Sequence, residues 1–175
     1  NCTGKSCNQM AVRAFSSPDA PVSVEVHDGA FDSMMAACRK SRKKETGGIL
    51  VGRYSSTGNS AEILEALPPP PDSVGTSSTF YRGTTGLSQE LISRWTNTGA
   101  HYVGEWHYHP LGDGQPSDQD ARQMIDFSRE EDMQSPVPIM VIIFPQRRRQ
   151  YELRVFLFTR DGQTVALTGT AEKGE

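Results

Sequence analysis

The sequence predicts a single domain of the α/β (α+β) class, with a curved mixed β-sheet packed by helices. Three observations carry this. Strand-like runs and helix-period apolar stripes alternate along the chain: strand, helix, several strands, helix, strand, helix, then strands. Residues 139–144, Ile-Met-Val-Ile-Ile-Phe, are continuously apolar, as suits a central strand covered on both faces. The length, 175 residues, fits one domain with a real core, and no internal repeat divides it. The expected boundaries are a flexible lead-in over 1–21, the domain over 22–170 and a tail over 171–175.

The elements follow in order. Residues 1–21 are polar and rich in Ser, Asp and Pro, hence a loose lead-in. Val22-Ser23-Val24-Glu25-Val26 alternates and reads as the first strand. Asp28 is placed to cap a helix on which Phe31, Met34, Met35 and Cys38 form one apolar stripe. Residues 39–44 end that helix with basic charge, which suits its dipole. Gly47 and Gly48 mark a helix stop and a close backbone approach before the buried strand Ile49-Leu50-Val51. No Gly-Lys-Ser/Thr follows, so they do not form a phosphate loop. Gly58-Asn59 turns the chain into a returning strand over 61–67. Four prolines at 68–71 make a rigid connector, with a ligand for a polyproline-reading domain as the alternative. Phe80-Tyr81-Arg82 is a short strand, and Leu87, Leu91, Ile92 and Trp95 support a second helix ending near Gly99. A strand over 102–108 and a helix from Ser117 to about 131, with Ala121, Met124 and Ile125 inward, come next. After the central strand, Arg147-Arg148-Arg149 reads as a solvated turn. Residues 151–159 and 164–168 then form a hairpin around Asp161-Gly162.

Chemistry concentrates between 104 and 120. His107 and His109 stand two apart on a strand, so they share a face with Cα atoms roughly 7 Å apart. Pro110 ends the strand, a Gly-rich loop runs to Pro116, and Ser117 opens a helix with Asp120 in its first turn. Such a loop can return the carboxylate of Asp120 to the two imidazoles. Two His and one Asp leave a coordination position open, the ligand count of a catalytic zinc site. Each half alone has an ordinary structural account, since His pairs occur on surfaces and Ser-x-x-Asp makes a capping box. Glu105 shares the ligand face and is open to three roles: orienting a ligand, acting as base, or hydrogen-bonding in the core. Glu45, at an element boundary, is unremarkable by itself. His101 reads as a surface group rather than a ligand.

The combination His107-x-His109-Pro110 with Ser117-x-x-Asp120 resembles the metal signature of the JAMM (MPN-plus, JAB) metalloproteases. Glu45-Thr46-Gly47-Gly48-Ile49-Leu50-Val51-Gly52 resembles that family's glutamate-bearing segment in its prokaryotic form. The stretch from Phe80 to Trp95 and then Tyr102 to His107 is similar to the bacterial stand-alone branch, and the likeness runs from about Val22 to about Leu167. The resemblance implies a JAMM/MPN-like fold and one catalytic Zn²⁺ on His107, His109 and Asp120. It implies Glu45 as general acid/base, and Glu105, on the ligand face, is then left the role of supporting a ligand from behind. Zinc lowers the pKa of a bound water from about 15.7 to about 7. Glu45 would take a proton from that water and pass it to the leaving amine, while Ser117 would hydrogen-bond the developing oxyanion. The implied reaction is hydrolysis of the amide after the C-terminal glycine of ubiquitin or a ubiquitin-like protein, as deconjugation or precursor processing. The implied partners are that protein, its conjugates and the cognate activating and conjugating enzymes, and some bacterial relatives belong to antiphage systems. The loop over 111–115 and the segment over 79–86 flank the metal strand, where a substrate tail could add as a strand. Alternatives are a non-catalytic MPN-like scaffold, or a zinc hydrolase acting on a sulfur-carrier fusion.

Composition excludes other classes. A net charge of -3 with pI ≈ 5.8 gives no basic field for nucleic acid. No apolar run approaches a membrane span, so no membrane partner is expected. Cys2, Cys7 and Cys38 are an odd set rather than a disulfide framework, and no signal peptide is read, so a cytoplasmic location is expected. Cys2 and Cys7 lack a second Cys/His pair nearby and read as part of the tail, not a metal site.

Overall fold

The apolar run at 139–144 forms a strand buried along its whole length, and the architecture is arranged to cover it on both faces. The computed structural model describes residues 12–19, 21–146 and 150–170. The elements are β1 (Val12–Ser16), β2 (Ser23–His27), α1 (Asp28–Ser41), β3 (Thr46–Tyr54), β4 (Ser60–Ala66), β5 (Val74–Gly75) and β6 (Phe80–Tyr81). They continue with α2 (Leu87–Thr98), β7 (His101–Tyr108), α3 (Asp118–Arg129), β8 (Ile139–Pro145), β9 (Tyr151–Phe158) and β10 (Thr164–Gly169). The main sheet closes into a barrel in the order β1-β10-β9-β8-β7-β3-β4-β2, and β5 and β6 form a separate small hairpin. The pairs β2·β4 and β7·β8 are parallel and the others antiparallel, so the sheet is mixed, as expected.

The barrel is filled by a helix. Ala30, Met34, Met35 and Cys38 of α1 meet Val24, Val26, Leu50, Ile63, Trp106 and Val141 in one core, to which all the barrel strands contribute. The 3.6-residue spacing of the α1 stripe is what lets one helix present a continuous surface to a closed sheet. The outer face carries the other two helices. Leu87 and Leu91 of α2 pack on Ile49, Val51 and Tyr102. Met124 of α3 packs with Met140, Ile142, Phe156 and Phe158.

One irregularity sets which residues face outward. The β3–β7 register shifts between Leu50 and Val51, leaving Val103 as the extra residue between Tyr102 and Gly104. Val103, Trp106 and Tyr108 therefore point into the barrel core, while Tyr102 belongs to the outer cluster. The bulge reverses the alternation that the strand would otherwise keep. Trp106 is anchored from inside by its indole N–H, which donates to Leu67 O at 3.0 Å.

Some expectations are corrected. Within the stretch read as a loose lead-in over 1–21, Val12–Ser16 is a strand that closes the barrel between β2 and β10. Its partner β10 lies at the far end of the chain, so nothing local in the sequence marks it. Asp28 does not cap α1. The cap position is His27, without a side-chain hydrogen bond, and Asp28 in the first turn accepts from Arg13 at 2.8 Å. The hairpin partner β5 was not expected, because a two-residue strand carries no periodicity. Cys2, Cys7 and Arg147 to Arg149 lie outside the described residues. Among the described residues no helix is long and apolar enough to cross a membrane.

Cys38 is fully buried, and burial pushes its thiol up to about 12, against a smaller opposing pull from Arg39. The thiolate, the reactive form, is therefore scarce at neutral pH. Iodoacetamide at pH 8 is expected to leave Cys38 unlabelled in the native protein and to label it readily in urea, as read by peptide mass spectrometry. Equal labelling in both states would contradict a helix seated inside the barrel.

Candidate metal centre

Strand register brings the first groups together. β3 and β7 run antiparallel with Thr46 opposite Tyr108 and Gly47 opposite His107. Paired residues share a face, so Gly47 lies under the His107 ring. A side chain is not tolerated there: a Cβ on Gly47 would stand 2.4 Å from Trp106 O, 2.7 Å from His107 Cδ2 and 2.9 Å from Phe80 Cε1. Phe80 meets His107 edge-on, with ring centroids 5.4 Å apart. Glu45 immediately precedes β3, and its N–H donates to Thr76 O at 2.7 Å.

Helix packing brings the carboxylate. In α3, Asp120 and Met124 are four apart and share a face. Met124 is fully buried against Met140 and Ile142, and in the β7–β8 register Ile142 is the neighbour of His107. Seating Met124 therefore sets Asp120 over the end of β7. A capping box holds it. Ser117 Oγ accepts from the Asp120 N–H at 3.1 Å, and both the Ser117 N–H and hydroxyl donate to Asp120 Oδ2 at 2.8 Å.

The three residues converge. His107 Nδ1 is 2.9 Å from Asp120 Oδ1 and His109 Nε2 is 3.6 Å from Asp120 Oδ2. One ligand atom from each lies within 4.8 Å of the others, and all three residues are buried. Tetrahedral zinc with N and O ligands at about 2.0–2.2 Å keeps its ligand atoms roughly 3.3 Å apart. Each imidazole stands near that spacing from a carboxylate oxygen, His107 from Oδ1 and His109 from Oδ2. A second group, Glu25, His27 and Glu62 on β2 and β4, has both of its carboxylates exposed to solvent.

The charges fit a cation. Glu105 is fully buried, and Arg82 grips one of its oxygens, with Nε at 3.1 Å and a terminal nitrogen at 2.9 Å from Oε1. Its other oxygen, Oε2, is buried without a hydrogen bond and faces His107 Nε2 at 3.5 Å. Glu45, Glu105 and Asp120 thus lie around His107, with Arg82 paired to Glu105, and a divalent ion would balance the remaining negative charge. Burial opposes charge on His107, but the hydrogen bonds and charges of Asp120 and Glu105 outweigh it and raise the imidazole to about 9. Burial works against the Asp120 carboxylate too, yet His107 and Ser117 hold it well below the usual range. Burial lowers His109, helped by the charge of His107 and opposed by that of Asp120. Burial raises Glu45, as does the charge of Asp120, against the pull of His107. Glu45 therefore feels the charges of Asp120 and His107, and it opens onto a groove of about 520 Å³ lined by Lys44, Pro70, Ser73, Gly75 and Phe80.

His107, His109 and Asp120 thus meet, Glu45 stands beside them, and Glu105 lies behind His107. Ser117 is engaged with Asp120, and its hydroxyl would have to turn away to reach a substrate oxygen. His101 stands apart, its ring between Tyr54 and Trp95. The sequence reading missed Arg82 and Phe80 as parts of the site. The signal for Arg82 was indirect: a carboxylate on a buried strand needs a cation, and Arg82 directly follows β6, earlier in the chain.

The chain matches the family model described as prokaryotic homologs of the JAB domain over residues 27–157. It is 37% identical over 162 residues to a protein of Enterobacter hormaechei subsp. hoffmannii (strain UCI 50) named CD-NTase/cGAS isopeptidase, covering 91% of this chain and 89% of the other. In fold it is similar to the solution structure of the protein DSY2949 from Desulfitobacterium hafniense. The TM-score is 0.54 at 17% identity, over 83% of this chain and 88% of the other.

Replacing Ser117 by Ala removes the two hydrogen bonds made by its hydroxyl and leaves its backbone N–H on Asp120. The metal-free protein is expected to lose about 0.5–2 kcal/mol in urea unfolding. An unchanged midpoint would mean that the cap does not hold Asp120.

Proposed function

The chain belongs to the family of prokaryotic homologs of the JAB domain, and from that footing we propose that it is a zinc-dependent isopeptidase. Its reaction is hydrolysis of the amide after the C-terminal glycine of a ubiquitin-like protein, in conjugates or precursors. The relative named CD-NTase/cGAS isopeptidase extends the proposal: the conjugates this chain opens involve a protein of the CD-NTase/cGAS type, in antiphage defence. The cognate activating and conjugating enzymes are the further partners, and the setting is cytoplasmic.

One observation carries the reading: two imidazoles and a carboxylate converge in a buried cluster beside an open groove that holds Glu45. In this proposal His107, His109 and Asp120 hold a single zinc ion. When bound, the ion supplies Lewis acidity and makes water a competent nucleophile near neutral pH. The other duties fall to the chain. Glu45, partly withdrawn from solvent and raised in pKa, takes the proton of the attacking water and delivers it to the nitrogen that leaves. Ser117 holds Asp120 at rest and, with its hydroxyl turned outward, donates to the oxygen on which charge develops. Such a donor is worth about 2.7–4 kcal/mol in other acyl-transfer sites. Glu105 receives the second nitrogen of His107, which orients the ring.

The test is a purified, zinc-loaded protein incubated with a ubiquitin-like protein joined through its C-terminal glycine to lysine, with a CD-NTase conjugate in parallel. Cleavage at the glycine is expected. Glu45→Gln is expected to keep stoichiometric zinc and lose about 10²–10⁴-fold in turnover, whereas His107→Ala is expected to lose the metal. A folded, zinc-loaded protein that leaves both conjugates intact would refute the assignment. A folded protein that takes no zinc would favour the scaffold reading.

A further inference from the structure

We propose that Arg82 is a positioning residue of the metal centre, acting through Glu105 on the orientation of His107. The inference rests on the metal-binding part of the reading above.

The argument begins with an expensive feature. Glu105 is fully buried in β7, where an apolar residue would satisfy the strand at no desolvation cost. A carboxylate serving structure alone would be hydrogen-bonded at both oxygens. Instead, Arg82 directs two donors at Oε1 and leaves Oε2 bare. The bare oxygen faces His107 Nε2 at 3.5 Å, while the opposite nitrogen, Nδ1, faces Asp120 at 2.9 Å. The ring therefore lies between two carboxylates, and it cannot turn without leaving both. A ligating imidazole binds through one nitrogen and needs an acceptor for the hydrogen on the other, which fixes the tautomer and raises its basicity. Glu105 Oε2 is that acceptor.

Arg82 is itself held. A third donor, Nη1, reaches Gly83 O at 3.1 Å. The Gly83 N–H donates to Ser73 Oγ at 2.9 Å, and the N–H groups of Thr84 and Thr85 donate to Asp72 at 3.0 and 3.1 Å. The guanidinium is thus fixed to the base of the β5–β6 hairpin. Two residues earlier, Phe80 braces the His107 ring from its edge. One short segment therefore steadies the same imidazole twice, by packing through Phe80 and electrostatically through Arg82 and Glu105.

The test is competitive zinc titration against a chromogenic chelator, on wild-type protein, Arg82→Met, Glu105→Gln and the double variant. Melting of the metal-free proteins reports whether each is folded. Each single change is expected to weaken zinc by about 10–100-fold. The double variant is expected to be no weaker than the weaker single, because both changes break one chain of contacts. In ¹⁵N-histidine-labelled, zinc-loaded protein, the Nε2 proton of His107 is expected to exchange faster in Arg82→Met, a signature that a remote loss of stability would not produce. Zinc affinity within threefold of wild type in folded Arg82→Met, or losses that add in the double variant, would overturn the proposal. Should Arg82→Met not fold, Glu105→Gln carries the test, since it keeps the size of the side chain: unchanged affinity and an unchanged Nε2 proton would overturn it. A wild-type chain that takes no zinc overturns this inference together with the metal reading. A chain that binds zinc but cleaves nothing overturns only the isopeptidase assignment, and the Arg82 titration still decides.

Discussion

The burial of Met124 against Met140 and Ile142 is the contact on which the site depends. It fixes the rotation of α3 about its own axis, and one turn earlier along the same face stands Asp120. A different rotation would send that carboxylate into solvent and leave two histidines on a sheet with nothing to meet. The capping box then holds Asp120 to the start of its own helix. Fold and site are thus joined by the apolar face of α3, where Ala121, Ile125 and Phe127 pack beside Met124, and by a single cap.

The electrostatics follow from this placement. Asp120 and Glu105, both buried, flank His107, with Glu45 beside them at the groove, and negative charge gathered there favours a cation. Asp120 and Glu105 flank His107 and raise its imidazole to about 9 against the opposing effect of burial. The Ser117 N–H and hydroxyl, both directed at Asp120 Oδ2, further favour its charged form.

The β5–β6 hairpin contributes more than its four residues suggest. Its backbone receives the N–H of Glu45. A Cβ on Gly75 would stand 2.0 Å from Glu45 O, so the hairpin lies directly on that segment. Through Phe80 and Arg82 it also reaches the histidine strand. Proposed base and proposed ligand are held by one small unit rather than by two independent parts of the barrel.

Much was legible in the sequence because it was written in local periods. The α1 stripe, the apolar strand at β8, the shared face of His107 and His109, and the cap at Ser117 each follow from neighbours within a few residues, where spacing alone decides orientation. The glycine at 47 could be read as a point of close approach, although not what it approaches. What only the tertiary structure decided joins residues that are distant in the chain. The pairing of β1 with β10 closes the sheet around α1. The bulge at Val103 selects which side chains of β7 face outward, through a mismatch with β3 that no alternation pattern in one strand reveals. The hold of Arg82 on Glu105 depends on how a loop folds over a sheet. Local order is set by dihedral and spacing preferences along the chain, whereas closure, register and ion pairing are set by the surfaces that compaction brings together.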